Sequence, residues 1–253
     1  MRVLIVGDVH GRHDRLAERL EHERRALGIA AAIQVGDFGF GESSLAALRA
    51  PFPVPVYAID GNHEDHRWLQ RAIDAGETQR WGARFNLYYQ PRGSIAVVGG
   101  STVGFLGGAL NVDRPQQHNG AAGLANYVRR RETEAAAAVF NRARPHLVVT
   151  HSCPAGIGIG LTGPLELRLG VLDHIVAAGF DPGPVHDCGD GELAALWSRL
   201  EYRPRAWVFG HHHHPHATTV EQTHFVCVGD DESLADQPVI WDSVDRVLWT
   251  ATR

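Results

Sequence analysis

The chain has 253 residues, a net charge of −5 and a sequence pI near 6.3, with 44% apolar and 21% charged residues. That balance fits a soluble globular chain with enough length for a sizeable core. It excludes a protein devoted to coating nucleic acid, which would be basic. All 24 permanently basic residues are arginine, so a cationic substrate contact must come from Arg or His. Cys153, Cys188 and Cys227 are dispersed and odd in number. They suit neither a disulfide framework nor a cysteine-based zinc site, and reduced thiols of a cytoplasmic protein are expected. The N-terminal apolar run reaches Asp8 too soon for a signal peptide, and no run approaches the roughly 18 apolar residues of a membrane helix.

In chain order, Val3 to Val6 reads as a buried strand closed by Gly7. Arg12 to Leu27 has an amphipathic helical pattern through Leu16, Leu20 and Leu27. Ala31 to Val35 and Val54 to Ile59 read as two further buried strands, and Glu64 to Asp74 as a helix. This alternation argues for a mostly parallel sheet. The segments 87–89, 95–98 and 103–106 follow as short strands, for which hairpin-like antiparallel pairing is expected. Glu132 to Ala143 is an alanine-rich helix and His146 to Thr150 a buried strand. Residues 152–190 form a Gly- and Pro-rich connection with one short helix near 165–178. Leu193 to Leu200 is helical, Ala206 to Phe209 a strand, and 217–252 a set of antiparallel strands. With no repeat and no low-complexity linker, one domain over residues 1–253 is expected, built on two sheets. Loops at 111–131 and 152–190 are expected to line a substrate site.

One event recurs along this pattern: an apolar strand ends and a metal-binding residue type follows at once. The instances are Gly7-Asp8-Val9-His10, Gly36-Asp37, Gly61-Asn62-His63-Glu64, Thr150-His151 and Gly210-His211-His212-His213-His214. In open α/β sheets, ligands bind beyond the carboxyl ends of strands. Carboxylates, imidazoles and an amide converging there suit borderline divalent cations. A preceding glycine lets the chain turn sharply and approach an ion closely. Taken singly each motif is weak; their order and their common place at strand ends give them weight.

These motifs, GDVH, GD, GNHE, a lone TH and GHHH, resemble the ordered motifs of the calcineurin-like metallophosphoesterases. The resemblance implies an α/β fold, a four-layer αββα sandwich of two mixed central sheets, with a dinuclear metal site at the C-terminal ends of strands. It implies that Asp8, His10 and His213 hold one ion, that Asn62, His151 and His211 hold the other, and that Asp37 bridges both. His63 would be the acid that meets the leaving group. The native ions would be two divalent metals among Mn, Fe, Zn and Ni. The family often continues its second motif with another acid, which commonly orients the histidine matching His63; here Phe40 stands at that place.

The chemistry expected is hydrolysis of a phosphomonoester or phosphodiester by a hydroxide bridging the two ions, with His63 as general acid. Asp113, Arg114 and His212 are candidate substrate contacts, and the run Arg129-Arg130-Arg131 is either a phosphate contact or a solvated helix face. The substrate would be small and phosphorylated, a nucleotide being one possibility. No membrane partner and no extended nucleic acid is expected. Two rival readings are a scaffold that keeps the fold without catalysis, and a nuclease acting on DNA or RNA. Intact matching positions weigh against the first, and the acidic balance weighs against the second.

Overall fold

The computed structural model describes residues 1–110, 125–159, 165–177, 179, 187–230 and 237–250. Twelve strands in the described residues form two six-stranded sheets. The first has the order β12 (Val247–Thr250), β11 (Val239–Asp242), β1 (Arg2–Val6), β2 (Ala31–Gln34), β3 (Val56–Ala58) and β4 (Leu87–Tyr89). The second has the order β5 (Ser94–Val98), β6 (Ser101–Leu106), β7 (Leu147–Thr150), β8 (Ala206–Phe209), β10 (Thr223–Cys227) and β9 (His216–Val220).

The inner strands of each sheet are buried on both faces, and the alternation of side chains along β1 shows how. Val3 and Ile5 point into a core shared with Phe105, Val149 and Val208 of the other sheet. Leu4 and Val6 point the opposite way, onto Leu16 and Leu20 of helix α1 (His13–Leu27). On the outer face of the second sheet, Trp207, Phe209 and Phe225 pack against Phe140 of α5 (Arg130–Ala143) and Leu193 and Trp197 of α7 (Gly191–Arg199). The result is helix, sheet, sheet, helix: the αββα sandwich that the motif resemblance implies. Strands covered on both faces read as unbroken apolar runs, which is why the inner strands were legible.

The pairing expected for residues 87–106 needs one correction. β5 and β6 are an antiparallel hairpin, with Ser94 opposite Phe105, but β4 runs parallel to β3, with Val56 opposite Leu87. A parallel neighbour requires a crossover. Helices α3 (His66–Asp74) and α4 (Trp81–Phe85) supply it, and α4 is too short to show a periodic pattern. The same holds for the six-residue α2 (Glu42–Ala47). In the tail, β9, β11 and β12 pair antiparallel as expected, whereas β10 also lies parallel to β8. β3 begins two residues later than the apolar run, because Pro55 has no N–H to enter the ladder. Helix α6 (Leu165–Val171) continues as a wide turn through Val176, matching the short helix expected there.

Candidate metal centre

The parallel strands β1, β2, β3, β7 and β8 all deliver their C-terminal ends to one edge of the sandwich. The turns after β1 and β2 are locked together: the N–H groups of Val9 and His10 both donate to the Asp37 carbonyl, at 3.1 and 2.7 Å. The turns after β7 and β8 are joined by the Gly210 N–H donating to the His151 carbonyl at 2.9 Å. Four of the expected ligands take left-handed backbone angles: His10 (φ 50), Asp37 (φ 53), His211 (φ 68) and His213 (φ 55). Such angles are uncommon outside glycine and cluster at functional sites. Gly61 is required by close approach, since a Cβ there would overlap Asp37 Oδ1 and His151 Nε2.

The expected ligand side chains meet in space. His151 Nε2 lies 3.0 Å from Asn62 Oδ1, 3.3 Å from Asp37 Oδ2 and 3.6 Å from Asp8 Oδ1. His10 Nε2 and His213 Nε2 face each other at 3.4 Å, and His213 Nε2 is 3.9 Å from Asp8 Oδ1. Asp37 Oδ2 is 4.0 Å from both His10 Nδ1 and His63 Nε2. The His211 ring centroid is 5.1 Å from that of His151. Two groups therefore form, Asp8–His10–His213 and Asp8–Asp37–His151, each with its ligand atoms within 4.8 Å of one another. Asp8 belongs to both, and Asp37 touches side chains of both. Asp8, Asp37, Asn62 and His151 are buried, while His10 and His213 lie at the mouth.

The electrostatics fit a cation. Burial opposes charge on Asp37, yet His151 and then His63 and His10 hold its carboxyl well below the usual range. Burial raises Asp8 to about 7. His151, despite burial, is raised to about 10 by Asp37 and Asp8. Burial lowers His211 and takes His213 down to about 4, so both keep a free lone pair. The Val35 carbonyl can only accept, so His151 Nδ1 carries a proton at 2.8 Å from it and Nε2 is the atom turned toward the acids. Two nitrogens sharing a tetrahedral zinc-type ion, each about 2.0–2.1 Å from it, lie roughly 3.4 Å apart, which matches the separation between His10 and His213. The donor set of carboxylate, imidazole and amide, with no sulfur among it, suits divalent ions such as Mn, Fe or Zn.

Three supporting residues carried no role in the sequence reading. Gln34, the last residue of β2, is buried; its amide donates to the Gly7 and Gly36 carbonyls and accepts from the Gly36 N–H, so it ties the first two ligand turns. Glu64 is buried and accepts four backbone N–H bonds. Phe38 and Gly61 donate to Oε1 at 2.9 and 3.2 Å, and Gly39 and Phe40 donate to Oε2 at 2.9 and 2.6 Å. Burial and the Asp37 charge push this carboxyl up, against the pull of those donors. Because both oxygens are taken by donors, the loop is built around the ionised form. Asp60 pairs with Arg92 at 2.6 Å, and Arg92 also meets Glu132 at 3.2 Å, which fixes the start of the Gly61–His63 turn. An acid closing the Gly61-Asn62-His63 motif, an amide inside an apolar run, and an acid directly before Gly61 are the only sequence signals these residues leave.

Phe40 occupies the place of the family's second acid and is wholly buried against Phe38, Trp81 and Tyr89. His63 lies beside Asp37 instead: its backbone N–H donates to Asp37 Oδ1 at 2.9 Å. Of the expected substrate contacts, Asp113 and Arg114 lie outside the described residues. His212 turns away from the acids toward Cys153 and Cys188. Arg130 pairs with Glu134 on an exposed helix face, the solvated alternative for that position. Arg129, with Arg67, Arg71, Arg92 and His66, lines a cleft of about 560 Å³ that also contains Asp60.

A model of the calcineurin-like phosphoesterase family matches residues 1–215. Among solved structures, TT1561 of Thermus thermophilus is similar over 99% of this chain and 98% of its own, at 12% identity and a TM-score of 0.63. The phosphopantetheinyl hydrolase PptH of Mycobacterium tuberculosis aligns over 92% of this chain and 90% of its own, at 17% identity and a TM-score of 0.47. A novel archaeal phosphodiesterase aligns over the whole of both chains at 11% identity and a TM-score of 0.42. No curated protein matches the sequence. Among the described residues no helix is long and apolar enough to cross a membrane. With the family model spanning most of its length and its strand-end acids and histidines meeting at one edge of an αββα sandwich, the chain belongs to the calcineurin-like phosphoesterase family.

Proposed function

We propose that the chain is a dinuclear metal-dependent hydrolase of a small phosphate ester. The observation that carries this reading is the convergence of Asp8, Asp37, Asn62 and His151, all buried, with His10, His211 and His213 around them. Asp8, His10 and His213 are assigned to one ion, Asn62, His151 and His211 to the other, and Asp37 to both. When bound, two divalent ions supply Lewis acidity and a nucleophilic hydroxide at neutral pH.

The chain's own residues do the rest. The Val35 carbonyl fixes the His151 ring so that Nε2 faces the centre. Asp37 is set by the His63 N–H and by the turn that joins it to Val9 and His10. His63, partly exposed and with Nε2 4.0 Å from Asp37 Oδ2, is the group assigned to donate a proton to a departing alkoxide. The arginine-lined cleft beside the Gly61–His63 turn suits an anionic substrate body.

The test compares the unaltered protein with His63→Ala and Asp37→Ala, measuring metal content and hydrolysis of an aryl phosphomonoester and a bis-aryl diester. His63→Ala should keep its metal and lose about 10²–10⁴-fold in turnover, the usual worth of a general acid. Asp37→Ala should lose metal and activity together. Full activity of His63→Ala on an ester with a poor leaving group removes its acid role. Full metal loading of Asp37→Ala removes the bridge.

A further inference from the structure

Outside the strand-end centre, the fold gathers a second set of soft donors that composition gave no reason to group. Cys153 follows His151 by two residues, Cys188 lies just ahead of α7, and His212 sits between His211 and His213. In space, Cys153 Sγ is 3.7 Å from His212 Nε2, and Cys188 Sγ is 3.4 Å from each of the two His212 ring nitrogens. The three ligand atoms all lie within 4.8 Å of one another. A thiolate sulfur and an imidazole nitrogen sharing one tetrahedral zinc, at about 2.3 and 2.0–2.1 Å, are separated by roughly 3.6 Å.

The scaffold around the thiols is built. Both cysteines are buried. Their segments are laced together: Asp190 N–H donates to the Cys153 carbonyl at 2.7 Å, and Ala155 N–H donates to the Asp190 carbonyl at 3.1 Å. The Asp187 carboxylate takes the N–H groups of Gly156 and Gly189 at 2.6 and 3.0 Å. His212 comes from the opposite side, its own N–H bonded to the Gly210 carbonyl at 2.8 Å.

We propose that Cys153, Cys188 and His212 bind one zinc-type divalent cation, separate from the ions of the strand-end centre. Binding releases one proton from each thiol to solvent and uses the His212 Nε2 lone pair; nothing is oxidised or reduced. Three protein donors leave one position for water. Sulfur selects this site's ion, because the strand-end centre offers only oxygen and nitrogen.

Cobalt(II) distinguishes the two centres. The full chain, reduced and loaded with cobalt, should show a sulfur-to-cobalt charge-transfer band in the near ultraviolet, which oxygen and nitrogen donors do not give. The Cys153→Ser/Cys188→Ser double variant should lose that band and one equivalent of metal. Cys227→Ser and Asp37→Ala should keep the band, the latter whether or not the dinuclear reading holds. Absence of the band in the unaltered protein, or its survival in the double variant, overturns the proposal. If the double variant does not fold, zinc-edge X-ray absorption of the unaltered zinc-loaded protein decides: sulfur neighbours support the site, and oxygen and nitrogen neighbours alone overturn it. A Cys153–Cys188 disulfide whose reduction yields no sulfur-bound metal also overturns it.

Discussion

Glu64→Gln is the substitution that most directly tests how the second ligand turn is held. The change preserves shape and removes charge. In the native protein, Oε1 and Oε2 each receive two backbone N–H groups, from the Phe38–Phe40 loop and from Gly61. Whichever oxygen becomes an amide nitrogen, two backbone N–H donors, buried or part-buried, then face another donor. Each orphaned buried donor costs about 1–3 kcal/mol, so the expected loss is about 2–6 kcal/mol. That is a large share of the roughly 5–15 kcal/mol by which a domain is stable. Urea unfolding followed by tryptophan fluorescence, with chelator present so that metal contributes nothing, measures the loss. A change below about 1 kcal/mol would mean that the carboxyl is already protonated and the clamp carries no charge, and the reasoning would be wrong. A loss of stability with metal affinity untouched would separate the clamp from Asp37, which sits at the head of the same loop.

Phe40→Ala should cost about 3–5 kcal/mol, the range for a buried aromatic, because the ring stacks on Trp81 with a 5.6 Å centroid separation; thermal unfolding checks it. Phe40→Asp, which writes in the acid common in the family, should be worse still, since the carboxylate would enter an aromatic core, and a gain in activity from it would refute the packing account. The metal-free protein should lose stability as pH rises from about 6.5 toward 10. His151 is raised to about 10 in the fold, so its contribution is complete below the unfolded value and disappears through the folded one. Stability of the chelated protein that does not fall across that range would contradict the charge pairing with Asp37 and Asp8.

Much of this was legible because the relevant signals are local. Strands buried on both faces write themselves as unbroken apolar runs, and ligand turns begin where those runs stop. The side chains expected as ligands come together at one edge for that reason. What stayed hidden depends on contacts distant in sequence. Glu64 gains meaning only when the Asp37–Phe40 loop folds over it, and Gln34 only when Gly7 and Gly36 turn back on it. The β4 pairing followed from two helices, one of five residues, that no periodicity could announce. Cys153 and Cys188 looked unrelated because they stand far apart along the chain and the histidine between their sulfurs belongs to a third segment. Counting cysteines by spacing misses such a group, since the third donor is not a cysteine at all.

The strand-end cluster draws Asp8, His10, Asp37 and Asn62 from the first sheet and His151, His211 and His213 from the second. Each of the two proposed donor sets takes members from both halves of the sandwich. A cation seated there therefore recognises only the docked pair and acts as a rivet between layers, adding stability that grows with the logarithm of its free concentration. On the proposed dinuclear reading, starvation for metal would loosen the seam between the layers as well as silence the chemistry, and turnover of the protein in the cell would then follow the metal supply.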